Sequence, residues 1–597
     1  MVPSLTPSGY LHLFCLWLSL LTSSITVGPL RAQVSDSIPV LRVPSEQDAQ
    51  LPSSSPLPRD TQPPSTLPLP EPEIPPPLPP PENLLQPTPP APTTPEAIPG
   101  KIPATITIER FEVVGSTVFR SEELDSVLAP FTNRPISFAE LFQARSTVTK
   151  LYRDQGYITS GAYIPPQTLQ GGIVKIQVVE GGLEDIKVTG TQRLNSNYVR
   201  SRLAVATSKP LNRNSLLEAL QLLQLNPLIQ NLSAELSAGS RPGASLLEVQ
   251  VTEAKTFSTQ VALDNGRTPS VGSFRRQVQL NEANLLGQGD GISVAYTNTD
   301  GSNALDTSYT FPLNSRNGTI SFSYGTTSSD VIERPFNQLD INANSRYYEV
   351  TLRQPVVQNP TQEFALGLTA SRQESEASLL GGEIPFPALG ADEKGRTRIS
   401  ALRFFQEWTQ RSSREVIAVR SQFSLGLDAF NATINKNAPD SRFFAWRGQG
   451  QWVRLLAPET LLLVRTDVQL ADRALVPLEQ FGLGGLENVR GYRQDFLLTD
   501  SGAFASAEVR LPILRVSQLN GVLQLTPFVD IGTAWNRNGK ADPDPSLLAS
   551  VGLGLRWQSG DRFTARLEWG IPLVSVDSRG RTWQENGVYF SIIYNPF

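Results

Sequence analysis

The chain has 597 residues, enough for about three to four domains, and its charges nearly balance, with 51 Lys and Arg against 56 Asp and Glu. This balance argues against a nucleic-acid partner, because nucleic acids are bound largely by neutralising their phosphates with basic side chains. His12, Cys15 and Met1 are the only residues of their types. Without residues 1–32 the chain would lack His and Cys entirely, so no catalytic, metal or cofactor site is predicted.

An apolar segment near the start has the length of a secretion signal. The segment from Leu11 to Leu21 reads LHLFCLWLSLL, which is too short to cross a bilayer as a helix but suits the core of a signal peptide. With cleavage after Ala32, residues 1–32 are predicted to be a signal peptide. A buried N-terminal helix is the alternative.

Proline dominates the region that follows. Residues 51–100 contain 20 prolines, which lack the N–H of helix and ladder hydrogen bonds and favour an extended chain. Residues 33–104 are therefore predicted to be a disordered proline-rich linker, and Pro39 and Pro44 argue against a helix at its start. A ligand for a proline-recognising domain is the alternative function of this composition.

Two segments with similar sequences come next, at an offset of 75 residues. FEVVGS at 111–116 recurs as IKVTGT at 186–191, and the endings VVEG at 178–181 and VTEA at 251–254 also match. Each copy has the pattern β-α-α-β-β, so residues 105–182 and 183–255 are predicted to be two copies of one small α+β domain. Ser137 and Glu140 form a capping-box signature at the start of the second helix of the first copy.

From residue 256 to 597 the helix period disappears and sixteen short alternating segments follow one another. In the segment FVDIGTAW, Val529 and Ile531 fall on one face and Asp530 falls on the other. Long and short connections alternate, and the longest is 473–501. This pattern is typical of an all-β outer-membrane barrel of about 16 antiparallel transmembrane strands. A soluble β-sandwich or β-solenoid array is the alternative.

Several motifs resemble one known family. LYRDQGYITSGAYIPPQ at 151–167 is similar to a first POTRA domain, ALDNG at 262–266 and NLLGQGD at 284–290 look like the first barrel hairpin, and FGLGGLENVRGY at 481–492 looks like the sixth loop. The chain resembles the two-partner secretion (TpsB) transporters of the hemolysin secretion/activation (ShlB/FhaC/HecB) family, in the BamA/Toc superfamily. The family often begins with a helix that plugs the barrel, but prolines interrupt residues 33–50 here.

The resemblance implies roles for particular residues. The sixth loop of the family folds into the barrel lumen, where its Arg pairs with an acidic residue of the wall, so Arg490 and Asp530 are expected to form a latch. The residues expected to surround this latch are Val489, Gly491, Tyr492, Phe528 and Gly532. Phe597 is the expected C-terminal strand signal.

The resemblance also implies a surface for the exported chain. An unpaired sheet edge can bind an extended peptide through main-chain hydrogen bonds. The expected edge is a strand formed by Tyr157, Ile158, Thr159, Ser160, Gly161, Ala162, Tyr163 and Ile164.

The sequence therefore predicts an outer-membrane exporter of a Gram-negative-type bacterium, with the linker and POTRA domains in the periplasm. Its partners would be a secreted polypeptide, expected to be a large β-solenoid exoprotein, and outer-membrane lipid. No nucleotide partner is predicted, because the sequence contains no GxxxxGK[ST] loop. A BamA/Toc-like insertion or translocation component is the main alternative, and a passive porin and an outer-membrane hydrolase are less suited to the pattern.

Overall fold

The computed structural model describes residues 64–73, 80–86, 105–168, 171–436, 439–537, 539–577 and 582–597. The predicted signal peptide, 1–32, and residues 33–63, 74–79 and 87–104 of the predicted linker lie outside these ranges. Within them, no helix is both long enough and apolar enough to cross a membrane.

Two small α+β domains precede a β-barrel. Their elements, with two short ones from the proline-rich region, are α1 (Pro81–Leu84), β1 (Leu85–Gln86), β2 (Ile106–Ile108), β3 (Arg110–Val114), α2 (Ser121–Leu128), β4 (Arg134–Ile136), α3 (Phe138–Asp154), β5 (Gly161–Tyr163), β6 (Ile173–Val179), β7 (Gly182–Thr189), α4 (Ser196–Ala206), α5 (Arg213–Gln224), β8 (Ile229–Ala238) and β9 (Ala244–Glu253).

Two pieces of the predicted linker lie against folded parts of the chain, contrary to the expectation of a disordered spacer. Strand β1 adds to the second domain, parallel to β8, and Leu84 is buried in that domain's core. Residues 65–71 contact inward-facing side chains of the barrel wall. The first contact has a simple cause: residues 82–86 contain no proline, so this stretch can donate ladder hydrogen bonds and bury a leucine.

The first domain is organised around helix α3. The Ser137 hydroxyl accepts a hydrogen bond from the Glu140 N–H at 3.2 Å, and the Glu140 carboxylate accepts one from the Ser137 N–H at 2.7 Å. Hydrogen bonds from the Ser137 N–H, from Arg134 and from the Ser137 hydroxyl together lower the pKa of Glu140 to about 2. One face of the helix, with Leu141, Val148 and Tyr152, is buried against the sheet β3-β6-β5. The capping-box residues therefore fix where the helix begins.

The two domains repeat one structural device. Gly115 and Gly190 both have a positive φ, +89° and +85°, and they directly follow strands β3 and β7, which carry the repeated motif. In the first copy the Glu180 carboxylate accepts hydrogen bonds from the Thr117 N–H at 2.7 Å and the Val118 N–H at 3.2 Å. In the second copy Glu253 accepts from the N–H groups of residues 192–194 at 2.5–3.2 Å. The glutamates of VVEG and VTEA thus tie each turn to the end of its sheet.

Sixteen antiparallel strands form the barrel, which closes by pairing of the first strand with the last. The strands are β10 (Phe257–Asp264), β11 (Arg275–Glu282), β12 (Gly291–Asn298), β13 (Ser302–Pro312), β14 (Thr319–Asp330), β15 (Asn342–Gln358), β16 (Gln362–Leu379), β18 (Arg396–Arg411), β19 (Glu415–Leu427), β20 (Phe444–Ala457), β21 (Thr460–Ala471), β24 (Ser501–Val516), β25 (Gly521–Trp535), β26 (Leu547–Ser559), β27 (Phe563–Pro572) and β28 (Val588–Tyr594). Three short strands lie in loops: β17 (Ile384–Pro385), β22 (Phe481–Leu483) and β23 (Leu497–Thr499).

The barrel wall has the alternation that the sequence predicts. On β25, Val529 and Ile531 are each 48% exposed on the outer face, whereas Asp530 is fully buried on the inner face. Short turns such as 458–459 alternate with long loops such as 380–395. The second small domain lies at the short-turn end, where the Asn195 N–H donates to the Gly287 carbonyl at 2.8 Å.

Candidate functional site

The longest loop of the barrel, residues 472–500, is packed inside the lumen and agrees with the predicted loop to within one residue at each end. Its two short strands, β22 and β23, form a hairpin. Apolar residues of the loop form one cluster with Phe504 of β24, Ala534 of β25 and Leu548 of β26. Burial of this apolar surface favours a loop that rests on the inner wall over one that extends into solvent.

The loop tip places Arg490 against Asp530 of β25. Arg490 Nε donates to Asp530 Oδ2 at 2.9 Å and Arg490 Nη2 donates to Asp530 Oδ1 at 3.0 Å, which is a two-point contact. The Arg490 main-chain N–H also donates to Asp530, at 3.1 Å. The forked guanidinium matches a carboxylate in two places, which fixes orientation as well as supplying energy.

Two further carboxylates reach the same guanidinium, and neither was predicted from the sequence. Arg490 Nη1 lies 2.7 Å from Glu508 of β24 and 3.3 Å from Glu568 of β27. The Arg490 guanidinium carbon also lies 3.4 Å from the centre of the Phe528 ring, a cation–π contact. The loop tip is therefore bonded to three strands of the wall. The charged residues at alternate positions 508 and 510 of β24 were the sequence feature that could have indicated Glu508 as an inward-facing carboxylate.

Small residues let the loop backbone approach the wall. Gly491 has φ +102°, and a Cβ added to Gly570 would lie 2.6 Å from the Gly491 nitrogen. The Gly491 N–H donates to the Tyr589 hydroxyl at 3.0 Å, and the Tyr492 hydroxyl donates to the Ala549 carbonyl at 2.8 Å. A side chain at 491 or 570 would force the tip away from β27.

The remaining predicted neighbours of the latch also lie at this contact. Val489 is fully buried in the loop cluster. Gly532 lies under Leu483 of the loop, since an added Cβ there would lie 2.5 Å from a Leu483 methyl carbon. Tyr492, Phe528, Val489, Gly491 and Gly532 are thus brought together with Arg490 and Asp530.

A second buried ion pair anchors the start of the loop. Arg403 of β18 contacts Glu479 through two hydrogen bonds, of 2.6 and 3.1 Å, and both side chains are buried. Nothing in the sequence around Arg403 distinguishes it from other barrel arginines, so only the fold identifies it.

The charges at the loop tip continue into the proline-rich segment. Arg510 donates to Glu508 at 2.9 Å and to both oxygens of Glu71 at 2.6 and 2.9 Å. Because Glu508 also contacts Arg490, an unbroken chain of ion pairs joins Glu71 to the latch. No pattern in the amino-acid sequence marks Glu71 as part of the site.

The predicted peptide-binding edge is shorter than expected. Only residues 161–163 form strand β5, because the Ser160 N–H closes a turn by donating to the Tyr157 carbonyl at 3.0 Å. Tyr157, Ile158, Thr159 and Ser160 precede the strand and Ile164 follows it. Strand β5 lies at the edge of the sheet β3-β6-β5, and the Ala162 N–H donates to the Thr149 hydroxyl of α3 at 3.0 Å.

Phe597 lies beyond the last strand, which ends at Tyr594. Its ring is 71% exposed and lies 6.3 Å, centre to centre, from the ring of Phe257 at the start of β10.

In the part of the chain that the structure describes, no cluster of three or more His, Cys, Asp or Glu side chains could hold a metal ion.

Comparison with known proteins identifies the family. The model of the haemolysin secretion/activation protein family ShlB/FhaC/HecB matches residues 243–557, and the model of the ShlB-type POTRA domain matches residues 106–181. The outer membrane transporter CdiB of Escherichia coli O6:K15:H31 (strain 536 / UPEC) is 24% identical over 499 residues, which are 81% of this chain and 82% of that protein. The heme/hemopexin transporter protein HuxB of Haemophilus influenzae (strain 86-028NP) is 22% identical over 477 residues, 76% of this chain and 81% of its own length.

A solved structure has the same fold. CdiB from Escherichia coli superposes with a TM-score of 0.63 at 21% identity, and the match covers 84% of this chain and 92% of that one. The predictions of the family, of a POTRA-and-barrel architecture and of an outer-membrane location with periplasmic POTRA domains are confirmed. The chain belongs to the haemolysin secretion/activation protein family ShlB/FhaC/HecB and is an outer-membrane protein transporter.

Proposed function

We propose that the POTRA domains capture one unfolded secreted partner protein in the periplasm and that the barrel passes it to the cell surface. A closed barrel that holds a latched loop, in one chain with a small domain that has a free sheet edge, is the arrangement that supports this proposal. The sequence contains no nucleotide-binding loop of the GxxxxGK[ST] type. Export would then draw its free energy from folding of the partner outside the cell.

The proposed partner is a large β-solenoid exoprotein. Each coil of a solenoid packs mainly on its neighbours, so such a protein can fold progressively as it emerges. Completed coils outside the cell would then prevent return of the chain. We also propose that outward-facing apolar residues such as Val529 and Ile531 contact outer-membrane lipid.

Deletion of the gene tests the exporter role against the insertion role. Secreted proteins and outer-membrane barrels are quantified in the deletion strain and in a complemented strain. Loss of one or a few secreted proteins, with barrels at normal levels, is the expected result. General loss of outer-membrane barrels would instead establish an insertion machine and overturn the exporter proposal.

The proposed capture surface is the free edge of β5. Ala162 is the position of interest, because its N–H points away from β6 and toward the Thr149 hydroxyl. Along a strand, successive N–H groups point to opposite sides, so the N–H groups of Gly161 and Tyr163 point toward β6. An incoming strand would take the Ala162 N–H in place of Thr149.

Two variants with opposite expected effects test this edge. Ala162→Pro removes the N–H that the substrate would use while leaving the bonds to β6, so capture should weaken. Thr149→Val removes the competing hydroxyl, so capture should strengthen by up to about tenfold. Thr149→Ser keeps a hydroxyl and serves as the control. The measurement is pull-down of the partner by the full-length transporter, and equal capture by all four proteins would exclude this edge.

A further inference from the structure

The proline-rich segment in the lumen is bound mainly through its backbone. Side chains at alternate positions of β20 face it: Arg447 donates to the Thr66 carbonyl, Gln449 to the Leu67 carbonyl at 3.5 Å, and Gln451 to the Leu69 carbonyl. Side chains two apart on a strand point to the same face, so these three form a row along the wall. Because main-chain carbonyls occur in every polypeptide, this row does not depend on the sequence that it binds.

Two members of the row are also hydrogen-bonded to the neighbouring strand of the wall. Asp467 of β21 accepts two hydrogen bonds from Arg447, at 2.6 and 3.0 Å, and one from Gln449 at 3.2 Å. A cavity of about 720 Å³ runs beside the segment and is lined by these side chains and by Leu67 and Glu71. The donors therefore also line open space that a second chain conformation could use.

The segment itself uses only part of what the row offers. Its sequence alternates proline with other residues, at 68, 70 and 72, so these positions have no N–H to donate. Proline also holds φ at about −65°, which differs from the φ of a regular strand. In a regular strand each residue directs its N–H and its carbonyl to the same side, so one residue can both donate and accept there. Gln451 is buried, and its Oε1 has no hydrogen-bond partner in the described part of the chain. One acceptor of the row stays unused.

We infer that Arg447, Gln449 and Gln451 form a carbonyl-binding row for the exported polypeptide, and that residues 65–71 occupy it as a self-ligand until that polypeptide replaces them. The inference rests on the proposed export function. An ordinary extended chain can donate an N–H to Gln451 Oε1 as well as offering carbonyls, so it satisfies the row more fully than the proline-rich segment does. The ligand class is thus an extended polypeptide with few prolines.

The ion pairs of Glu71, at the end of the segment, allow the segment to be weakened without changing the row. Glu71 contacts Arg510 through two hydrogen bonds and lies 3.8 Å from Arg566. Glu71→Gln weakens the self-ligand but leaves the row intact. Substitution of the row itself weakens both occupants. This difference provides the test.

The test combines two measurements on the full-length protein. Ion conductance of the purified transporter in planar bilayers reports release of the self-ligand, and secretion of the partner identified by gene deletion reports export. The double substitution Gln449→Leu with Gln451→Leu should raise conductance and lower secretion, each by about tenfold or more. Glu71→Gln should raise conductance without lowering secretion. Gln279→Leu is the matched control, because Gln279 is a glutamine of β11 that bonds to Asn281 and Ser293 instead.

Two outcomes for the row variant would overturn the inference. One is reduced secretion with unchanged conductance, and the other is raised conductance with unchanged secretion. Cross-linking separates its failure from failure of the export proposal. A cysteine at Gln451→Cys should form a disulfide with cysteines placed in a stalled partner chain. If the unaltered transporter secretes the partner but no such cross-link forms, the row is not part of the export path. If the unaltered transporter secretes no partner, the export proposal fails.

Discussion

The contact between Arg490 and its three carboxylates makes an asymmetric prediction about single substitutions. In Arg490→Ala, Asp530 and Glu568 lose the cation that they contact at 2.9 and 3.3 Å, whereas Glu508 keeps Arg510. In Asp530→Asn, Arg490 keeps Glu508 at 2.7 Å and Glu568. Loss of the arginine should therefore undock the loop more than loss of the aspartate.

The magnitudes follow from burial. Removing one partner of a buried ion pair costs about 3–5 kcal/mol, which corresponds to about one-hundredfold to several-thousandfold in the docking equilibrium. Weakening hydrogen bonds to a charged group costs about 1.5–3 kcal/mol, or about tenfold to one-hundredfold, in Asp530→Asn. The control is Arg515→Ala. Arg515 lies on the same strand as Glu508, but its ion pair with Glu459 is exposed, so its loss should change the docking equilibrium less than about fivefold.

Loop docking is measured by reaction of a buried cysteine with maleimide. Val489→Cys places the thiol at a fully buried position of the loop, in a Cys15→Ser background that contains no other cysteine. The labelling rate should rise in the order Arg515→Ala, Asp530→Asn, Arg490→Ala. The double variant Arg490→Ala with Asp530→Asn should label more slowly than Arg490→Ala alone, because one uncompensated carboxylate has been removed. A double variant that equals the sum of both single effects would refute the shared network.

Three further predictions concern other parts of the molecule. Burial alone would raise the pKa of Glu180, but the hydrogen bonds from Thr117 outweigh it and lower that pKa; Glu180→Gln should therefore destabilise residues 105–182 by about 1 kcal/mol in amide exchange of the intact protein at neutral pH. The difference between variant and unaltered protein should shrink as pH falls below 4.5, toward the lowered folded-state pKa. Gly491→Ala should cut secretion, whereas Gly382→Ala, which also substitutes a positive φ but has open space around it, should not; equal effects would mean that backbone strain alone matters. Glu479→Gln should leave the buried Arg403 without its carboxylate and increase protease cleavage in 473–501.

The barrel could be predicted from the sequence because the outer and inner faces of each strand have different surroundings. Val529 and Ile531 face outward and Asp530 faces inward, so apolar and polar residues alternate along the strand. The repeat of the two small domains could also be predicted, because a local backbone requirement selects a residue type. Gly115 and Gly190 each occupy a backbone conformation that favours glycine, so both copies kept the residue at the same offset.

The site could be predicted only in part, because contacts between distant strands leave no local pattern. The pairing of Arg490 with Asp530 was predicted from resemblance to a family. The alternation of residues along the strand supported only the inward direction of the Asp530 side chain. Glu568 reaches Arg490 from a separate strand, 78 residues away along the chain. Composition predicted a disordered, extended spacer for residues 33–104, but proline content does not specify that two stretches of it contact folded parts of the chain.

The chain of ion pairs from Glu71 through Arg510 and Glu508 to Arg490 makes the two occupants of the lumen thermodynamically linked. If departure of the proline-rich segment changes the loop-docking equilibrium by some factor, undocking of the loop must change the affinity for the segment by the same factor. Such reciprocity can be measured from either end, with Glu71→Gln read at the Val489→Cys label and Arg490→Ala read as bilayer conductance. Equal factors that differ from one would mean that clearing the lumen and releasing the loop are two parts of one equilibrium.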